Sequence, residues 1–156
     1  MSEGIAIARA SVADAEEVLA VIRRAFGPVA EQYGDPELPP VAETLESHRA
    51  RYQTNVVLKA VDARGRIVGT VQGEPRDGGC CYVARLAVDP AHQGRGIGRA
   101  LTEALEAEFP DAGRFELFTG HKSEGSIGLY RSLGYRETKR EYVDDTLTLV
   151  WMEKVR

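Results

Sequence analysis

Gly94, Gly96 and Gly98 stand at alternate positions after the apolar run Leu86-Ala87-Val88, where an amphipathic run opens at Ile97. A strand that stops at Asp89-Pro90, passes through three glycines and opens a helix is a physical arrangement for holding an anion. The first N–H groups of a helix have no partner inside it, and the aligned peptide dipoles leave partial positive charge there. Glycines admit positive φ and let a ligand approach the main chain closely. Gln93, Gly94, Arg95, Gly96, Ile97, Gly98, Arg99 and Ala100 are therefore candidate anion-binding residues. The dinucleotide pattern G-x-G-x-x-G fits poorly, because its third glycine falls on Arg99. The P-loop pattern fails, because no Gly-Lys-Ser/Thr follows the glycines. A plain tight connection between strand and helix is the alternative reading of the same residues.

The run Gln93-Gly94-Arg95-Gly96-Ile97-Gly98, preceded by Leu86-Ala87-Val88-Asp89-Pro90, resembles the signature of the GNAT superfamily of N-acetyltransferases, whose loop cradles the pyrophosphate of acetyl-CoA. A second stretch, Ser123 to Tyr135, also resembles that family. Its closing residues Leu129-Tyr130-Arg131-Ser132-Leu133-Gly134-Tyr135 fit Leu-Tyr-x-x-x-Gly-Phe/Tyr, whereas the opening position, frequently Asn in the family, is Ser123. The resemblance implies acetyl-CoA as donor co-substrate, contacted by Leu86, Ala87, Val88, the residues Gln93 to Ala100, Ser123, Ser126 and Tyr130. It implies that Tyr130 acts as general acid toward the departing CoA thiolate. The extended Leu86-Ala87-Val88 segment can supply fixed N–H groups for the carbonyl oxygen. Ordinary packing with Ile127 and Leu133 is the other role open to Tyr130. The general base does not carry over by position; Glu74, Glu116 and His121 are the candidates, acting directly or through water.

The implied fold is α/β (α+β): a mixed, mostly antiparallel sheet of about seven strands flanked by about four helices, with splayed parallel central strands. The implied reaction is acetyl transfer to a primary amine by direct attack, without a covalent enzyme intermediate. A non-catalytic acyl-CoA-binding or regulatory domain, and a nucleotide-binding domain, are the rival readings. The acceptor is a small-molecule amine or a peptide or protein amine, and Glu31, Asp35 and Glu37 in the loop 28–40 favour a cationic one.

The elements that must position these residues follow from periodicity and punctuation. With 156 residues, 28% charged and 43% hydrophobic, the chain reads as one N-acetyltransferase domain spanning residues 1–156. The net charge of −4 and the lack of a Lys/Arg run exclude a general nucleic-acid binder. Met1-Ser2-Glu3-Gly4 carries no secretory signal, and no apolar run is long enough for a bilayer, so a cytoplasmic protein without membrane partner is expected. Cys80 and Cys81 are too few for a metal site and, as strand neighbours, point to opposite faces. No metal is expected.

Ile5 to Arg9 reads as a strand, and Ser11 with Asp14 starts a helix that turns Val18, Leu19, Ile22 and Phe26 inward and stops at Gly27-Pro28. A connector over 28–40 and a helix over 41–52, with His48 structural, come next. Strands are predicted over 56–61, 67–72 and 80–88. The helix after the glycines turns Ile97, Leu101, Ala104, Leu105 and Phe109 inward and Arg99, Glu103, Glu106 and Glu108 outward. A strand over 115–119, a helix over 123–133 capped by Gly134, and strands over 135–142 and 146–155 complete the chain, the last with Leu147, Leu149 and Trp151 on one face. The edge of that last strand is the expected contact of a homodimer.

Overall fold

The computed structural model describes residues 4–156; Met1, Ser2 and Glu3, on which the reading of no secretory signal partly rests, lie outside the described residues. Among the described residues seven strands form one sheet: β1 (Ala6–Arg9), β2 (Val56–Val61), β3 (Ile67–Arg76), β4 (Cys80–Val88), β5 (Arg114–Gly120), β6 (Arg136–Asp144) and β7 (Leu147–Val155). Their order is β1-β2-β3-β4-β5-β7-β6, with β4 and β5 parallel and every other neighbouring pair antiparallel. The α-helices of the described residues are α1 (Ala15–Gln32), α2 (Pro39–Ala42), α3 (Leu45–Arg51), α4 (Ile97–Ala107) and α5 (Glu124–Ser132). This is the expected mixed, mostly antiparallel α/β architecture.

The two faces of the sheet are covered by different helices. Val18, Val21 and Ile22 of α1 bury against Val57, Ile67 and Ala87 on one face. Ile97, Leu101 and Leu105 of α4 and Ile127, Tyr130 and Leu133 bury against Cys81, Val83, Phe115, Leu117, Val150 and Met152 on the other. Burial of such side chains supplies about 1.5–3 kcal/mol each. The parallel pair β4–β5 is joined only over Cys80–Tyr82 with Arg114–Glu116; beyond that point the two strands separate into a fork.

A bulge in β4 accompanies the split. Between Thr70↔Ala87 and Gln72↔Ala84 the partner strand β3 advances two residues while β4 advances three. Arg85 takes up the extra residue with φ 55, the left-handed region that a side chain with a Cβ enters reluctantly.

Several elements differ from the sequence expectations for identifiable reasons. Helix α1 does not stop at Gly27-Pro28 but runs to Gln32 with Pro28 inside it. An interior proline costs a helix about 3 kcal/mol, and burial of Ala30 and Tyr33 at the C-terminal end offsets it. The helix expected over 41–52 is two helices, because Glu43 is extended (ψ 133) and Thr44 caps α3 by accepting the Ser47 N–H at 3.1 Å. Glu106 on α4 is buried, not outward: it accepts from Tyr135 Oη and Lys154 Nζ, each at 2.8 Å. On β7 Leu147, Leu149 and Trp151 do share one face, Trp151 beside Phe118, and the core side chains Val150 and Met152 lie on the other. The C-terminal strand is not an edge, since β6 folds back beside it and leaves β1 and β6 at the margins.

One close approach ties the end of α1 to the end of β5. The Tyr33 hydroxyl accepts the Lys122 N–H at 2.8 Å and shares a hydrogen bond with Ser123 Oγ at 3.0 Å. A methyl group at Gly120 would overlap that hydroxyl, so the position admits only glycine while Tyr33 is seated. Gly120→Ala is expected to destabilise the protein by about 1–3 kcal/mol in thermal unfolding. Placed in a Tyr33→Ala background the same change is expected to cost almost nothing further, which separates this contact from a general effect on β5.

Candidate active site

The glycine loop is built to leave the amides of its three glycines without an acceptor among the described residues. Asp89 starts it: Oδ1 accepts the Ala91 N–H at 3.0 Å, and Oδ2 takes Arg24 Nε and Nη2 of α1, both at 2.9 Å. Burial alone would raise the Asp89 pKa, yet the Ala91 amide and the Arg24 guanidinium hold it below its ordinary value. Gln93 Nε2 donates to Val88 O at 3.1 Å, so this side chain staples the loop to the end of β4. Gly94 and Gly96 follow with φ 79 and 80, a backbone that faces successive N–H groups the same way. No side chain caps α4. Among the described residues no acceptor within the chain takes the N–H of Gln93, Gly94, Gly96, Ile97, Gly98 or Arg99. The Arg99 guanidinium bonds Ser132 Oγ and so joins α4 to the end of α5.

The fork supplies a second set of donors. Asp89 N donates to Val68 O at 2.8 Å, which fixes the amide alternation along the end of β4. The amide of Val88 then points away from β3, toward the side on which β5 has already departed, and Leu86 stands next to it at the end of the bulge. Their side chains pack against the α4–α5 cluster, while Ala87 is buried beneath α1.

Tyr130 sits in the core cluster between α5 and the fork, with its ring edge-on to Tyr135 at 5.7 Å. Its hydroxyl has no hydrogen-bond partner among the described residues, and burial pushes its pKa well above the ordinary phenol value, so it stays protonated. Ser123 and Ser126 flank the start of α5; the Ser123 hydroxyl is engaged by Tyr33, and Ser126 is exposed.

The three candidate bases are not brought together. Glu116 pairs in register with Tyr82 at the point where the fork opens, and its Oε2 accepts from Arg114 Nη1 at 2.7 Å. Glu74 lies across from Tyr82 on β3, held by Arg76 Nε at 2.8 Å. His121 Nδ1 accepts the Thr148 N–H at 2.9 Å, which places the proton of the neutral ring on Nε2 and makes that nitrogen a donor. Glu31 and Glu37 are exposed, and Asp35 Oδ1 is spent on the Glu37 N–H at 3.0 Å.

The sequence reading missed the face opposite α5. Tyr82, Phe118 and Trp151 form a strip there, with ring centroids 6.2 Å apart for Tyr82–Phe118 and 5.0 Å for Phe118–Trp151. Phe118 is 40% exposed, beyond the last β4–β5 pair, so the strip borders the open fork. Among the described residues no group of three or more His, Cys, Asp or Glu could hold a metal ion, and both cysteines are buried free thiols.

This arrangement matches known proteins. The family model described as "Acetyltransferase (GNAT) family" matches residues 16–135. N-acetyltransferase 8 of Mus musculus is 33% identical over 101 residues, covering 60% of this chain and 43% of that protein. The chain thus matches less than half the length of that curated relative. The ribosomal-protein-S18-alanine N-acetyltransferase of Escherichia coli superposes with TM-score 0.80 at 18% identity, covering 97% of this chain and 93% of the other. PaiA N-acetyltransferase of Thermoplasma acidophilum, solved in complex with coenzyme A, gives TM-score 0.75 at 19% identity over 100% of both chains. At these identities the two structures show the shared fold.

Proposed function

Because the chain belongs to the GNAT family of acetyltransferases, we propose that it is an acetyl-CoA-dependent N-acetyltransferase, a single domain over residues 1–156, acting on a primary amine by direct attack. The observation that carries the reading is the set of amides of Gln93, Gly94, Gly96, Ile97, Gly98 and Arg99, which find no acceptor among the described residues at the start of α4. Such a set suits the diphosphate of coenzyme A, with two left-handed glycines admitting close approach. Acetyl-CoA is a substrate here, and the chemistry it supplies is an acyl group activated as a thioester.

The residues of the chain do the rest. The amide of Val88, with that of Leu86 beside it, receives the negative charge that develops on the carbonyl oxygen in the gap of the fork. Tyr130 holds a proton on a hydroxyl with no internal partner and gives it to the departing sulfur as the C–S bond breaks. Glu116, the carboxylate at the opening of the fork, takes the proton of the incoming ammonium, directly or through water, so that nitrogen forms the new C–N bond as a neutral amine. The strip of Tyr82, Phe118 and Trp151 lines the acceptor side. No cysteine takes part: burial pushes the Cys81 thiol up to about 12. No helix among the described residues is long and apolar enough to cross a membrane, and the two free buried thiols support a reducing, cytoplasmic setting.

The direct test is thiol release from acetyl-CoA across a panel of amines, together with thermal unfolding in acetyl-CoA, coenzyme A, NAD and ATP. A ligand of the native state at 100 times its Kd adds about 2.7 kcal/mol. Stabilisation by NAD but not by coenzyme A overturns the proposal, and binding without thiol release from any amine favours a non-catalytic domain. For Glu116→Gln the expected loss in kcat/KM for the amine is about 100-fold at pH 7. The loss should shrink toward pH 9, where the acceptor arrives already deprotonated; an equal loss at both pH values removes Glu116 from the role of base.

A further inference from the structure

Arg85 is the residue of the β4 bulge, held at φ 55 one position before the Leu86 amide. Its guanidinium makes no hydrogen bond or ion pair with any described residue, and its Nε is buried without a partner. The acid in its field is Glu43, and that carboxylate is already committed. Arg51 Nε reaches Glu43 Oε1 at 3.0 Å and Oε2 at 2.8 Å, Arg51 Nη2 reaches Oε2 at 2.7 Å, and Ser47 Oγ adds a further bond at 3.0 Å. Within this cluster the charge of Arg51 is matched and that of Arg85 is not.

Two fully buried side chains on the same face are also short of partners. Gln72 pairs in register with Ala84, beside Arg85, and neither its Nε2 nor its Oε1 has a hydrogen bond. The neighbouring Gly73 faces Phe109 and Leu105 at α4, so Gln72 faces the side of the sheet that α1 covers. His48 bonds Tyr52 Oη through Nε2 at 2.9 Å and leaves Nδ1 unpartnered, 3.7 Å from Glu43 Oε1. Burial pushes the His48 pKa down, so its ring is neutral and adds no charge. A desolvated cation and buried amide atoms without partners are costly unless a ligand completes them.

We propose that Arg85, with Gln72 beside it, binds a carboxylate of the acceptor, so that the acceptor is a small amine bearing a carboxylate near the reacting nitrogen, an amino acid being the simplest case. The inference rests on the acetyltransferase reading and names the substrate class of that site. A guanidinium meets a carboxylate with two parallel N–H···O bonds, and the single negative charge equals the one left unmatched. A phosphate brings a second charge for which this cluster has no cation, Arg51 being bound to Glu43. With the carboxylate at Arg85, the amine of the same molecule lies toward the Leu86 amide and the mouth of the fork.

The test compares kcat/KM for the proteinogenic amino acids and their carboxamides, with acetyl-CoA as donor, in the unsubstituted protein, Arg85→Asn and Arg85→Lys. Asparagine accepts the left-handed backbone, so the first variant removes the guanidinium while the bulge remains. At least one acid is expected to exceed its carboxamide by about tenfold or more, the preference falling to within about threefold in Arg85→Asn and returning in part in Arg85→Lys. Carboxamides used as well as acids, or a preference that survives Arg85→Asn, overturns the proposal. Acetyl-CoA binding, measured by calorimetry on the same samples, separates the two levels. Donor bound with no amino acid turned over sinks the carboxylate assignment alone; donor not bound sinks the transferase reading and this inference with it.

Discussion

Gly98→Glu abolishes coenzyme A binding, if the glycine loop holds the diphosphate. A Cβ at Gly98 would stand 3.4 Å from Leu129 Cδ2, 3.8 Å from Leu86 Cδ2 and 3.9 Å from Val88 Cγ2, all ordinary contacts. A methyl group therefore fits, but a longer side chain must enter the space between β4 and α5. Its carboxylate then lies among the amides at the start of α4, in competition with the phosphates. A like charge about 4 Å away at an effective dielectric near 20 costs about 4 kcal/mol, roughly three orders of magnitude in affinity. Calorimetric titration with coenzyme A should show no binding in the millimolar range, whereas Gly98→Ala should bind within about threefold of the parent and gain up to about 1 kcal/mol from helix propensity. Affinity retained by the glutamate variant would falsify the assignment of the loop.

Tyr130→Phe is expected to lower kcat by about 100-fold or more, the usual worth of a positioned acid, with little change in acetyl-CoA affinity. The reason for that separation is the hydroxyl's isolation. It has no hydrogen bond to lose among the described residues, so the variant should melt within a few degrees of the parent. Unchanged turnover removes Tyr130 from the chemistry and returns it to packing against Tyr135. Burial raises the folded-state pKa above the ordinary value of 10.0. The sign for stability follows: the contribution of the neutral phenol is complete below pH 10 and is lost as pH rises beyond it. For the same reason no alkaline fall in kcat below about pH 10 should trace to this residue.

The loop and the tyrosine were legible in the sequence because each is local. Gln93 to Gly98 lie within one turn and one helix start, and Tyr130 to Tyr135 within one helix end, so spacing carries their local backbone geometry, while the roles given to them come from the family resemblance. The supports of those segments join residues far apart in the chain. Arg24 and Asp89 are 65 residues apart, and Tyr33 and Ser123 are 90 apart; no periodicity relates them. Arg85 is hidden for a different reason. A bulge is a mismatch between two strands, and β4 read alone looks like a mixed apolar run with one arginine in it. The misplaced end of α1 has the same origin, since Gly27-Pro28 is a sound local stop that burial of Tyr33 overrules. Glu106 looked solvated because its partners, Tyr135 and Lys154, come from the far end of the chain.

Helix α1 grips both tines of the fork, Arg24 holding Asp89 just past β4 and Tyr33 holding Lys122 and Ser123 just past β5. Nine helical steps at 1.5 Å set those two grips about 13 Å apart. The helix is thus a crossbar, and its pitch, rather than anything in the sheet, gauges the aperture through which donor and acceptor meet. Inserting one residue between the grips would swing Tyr33 by about 100° around the axis and unhook one tine.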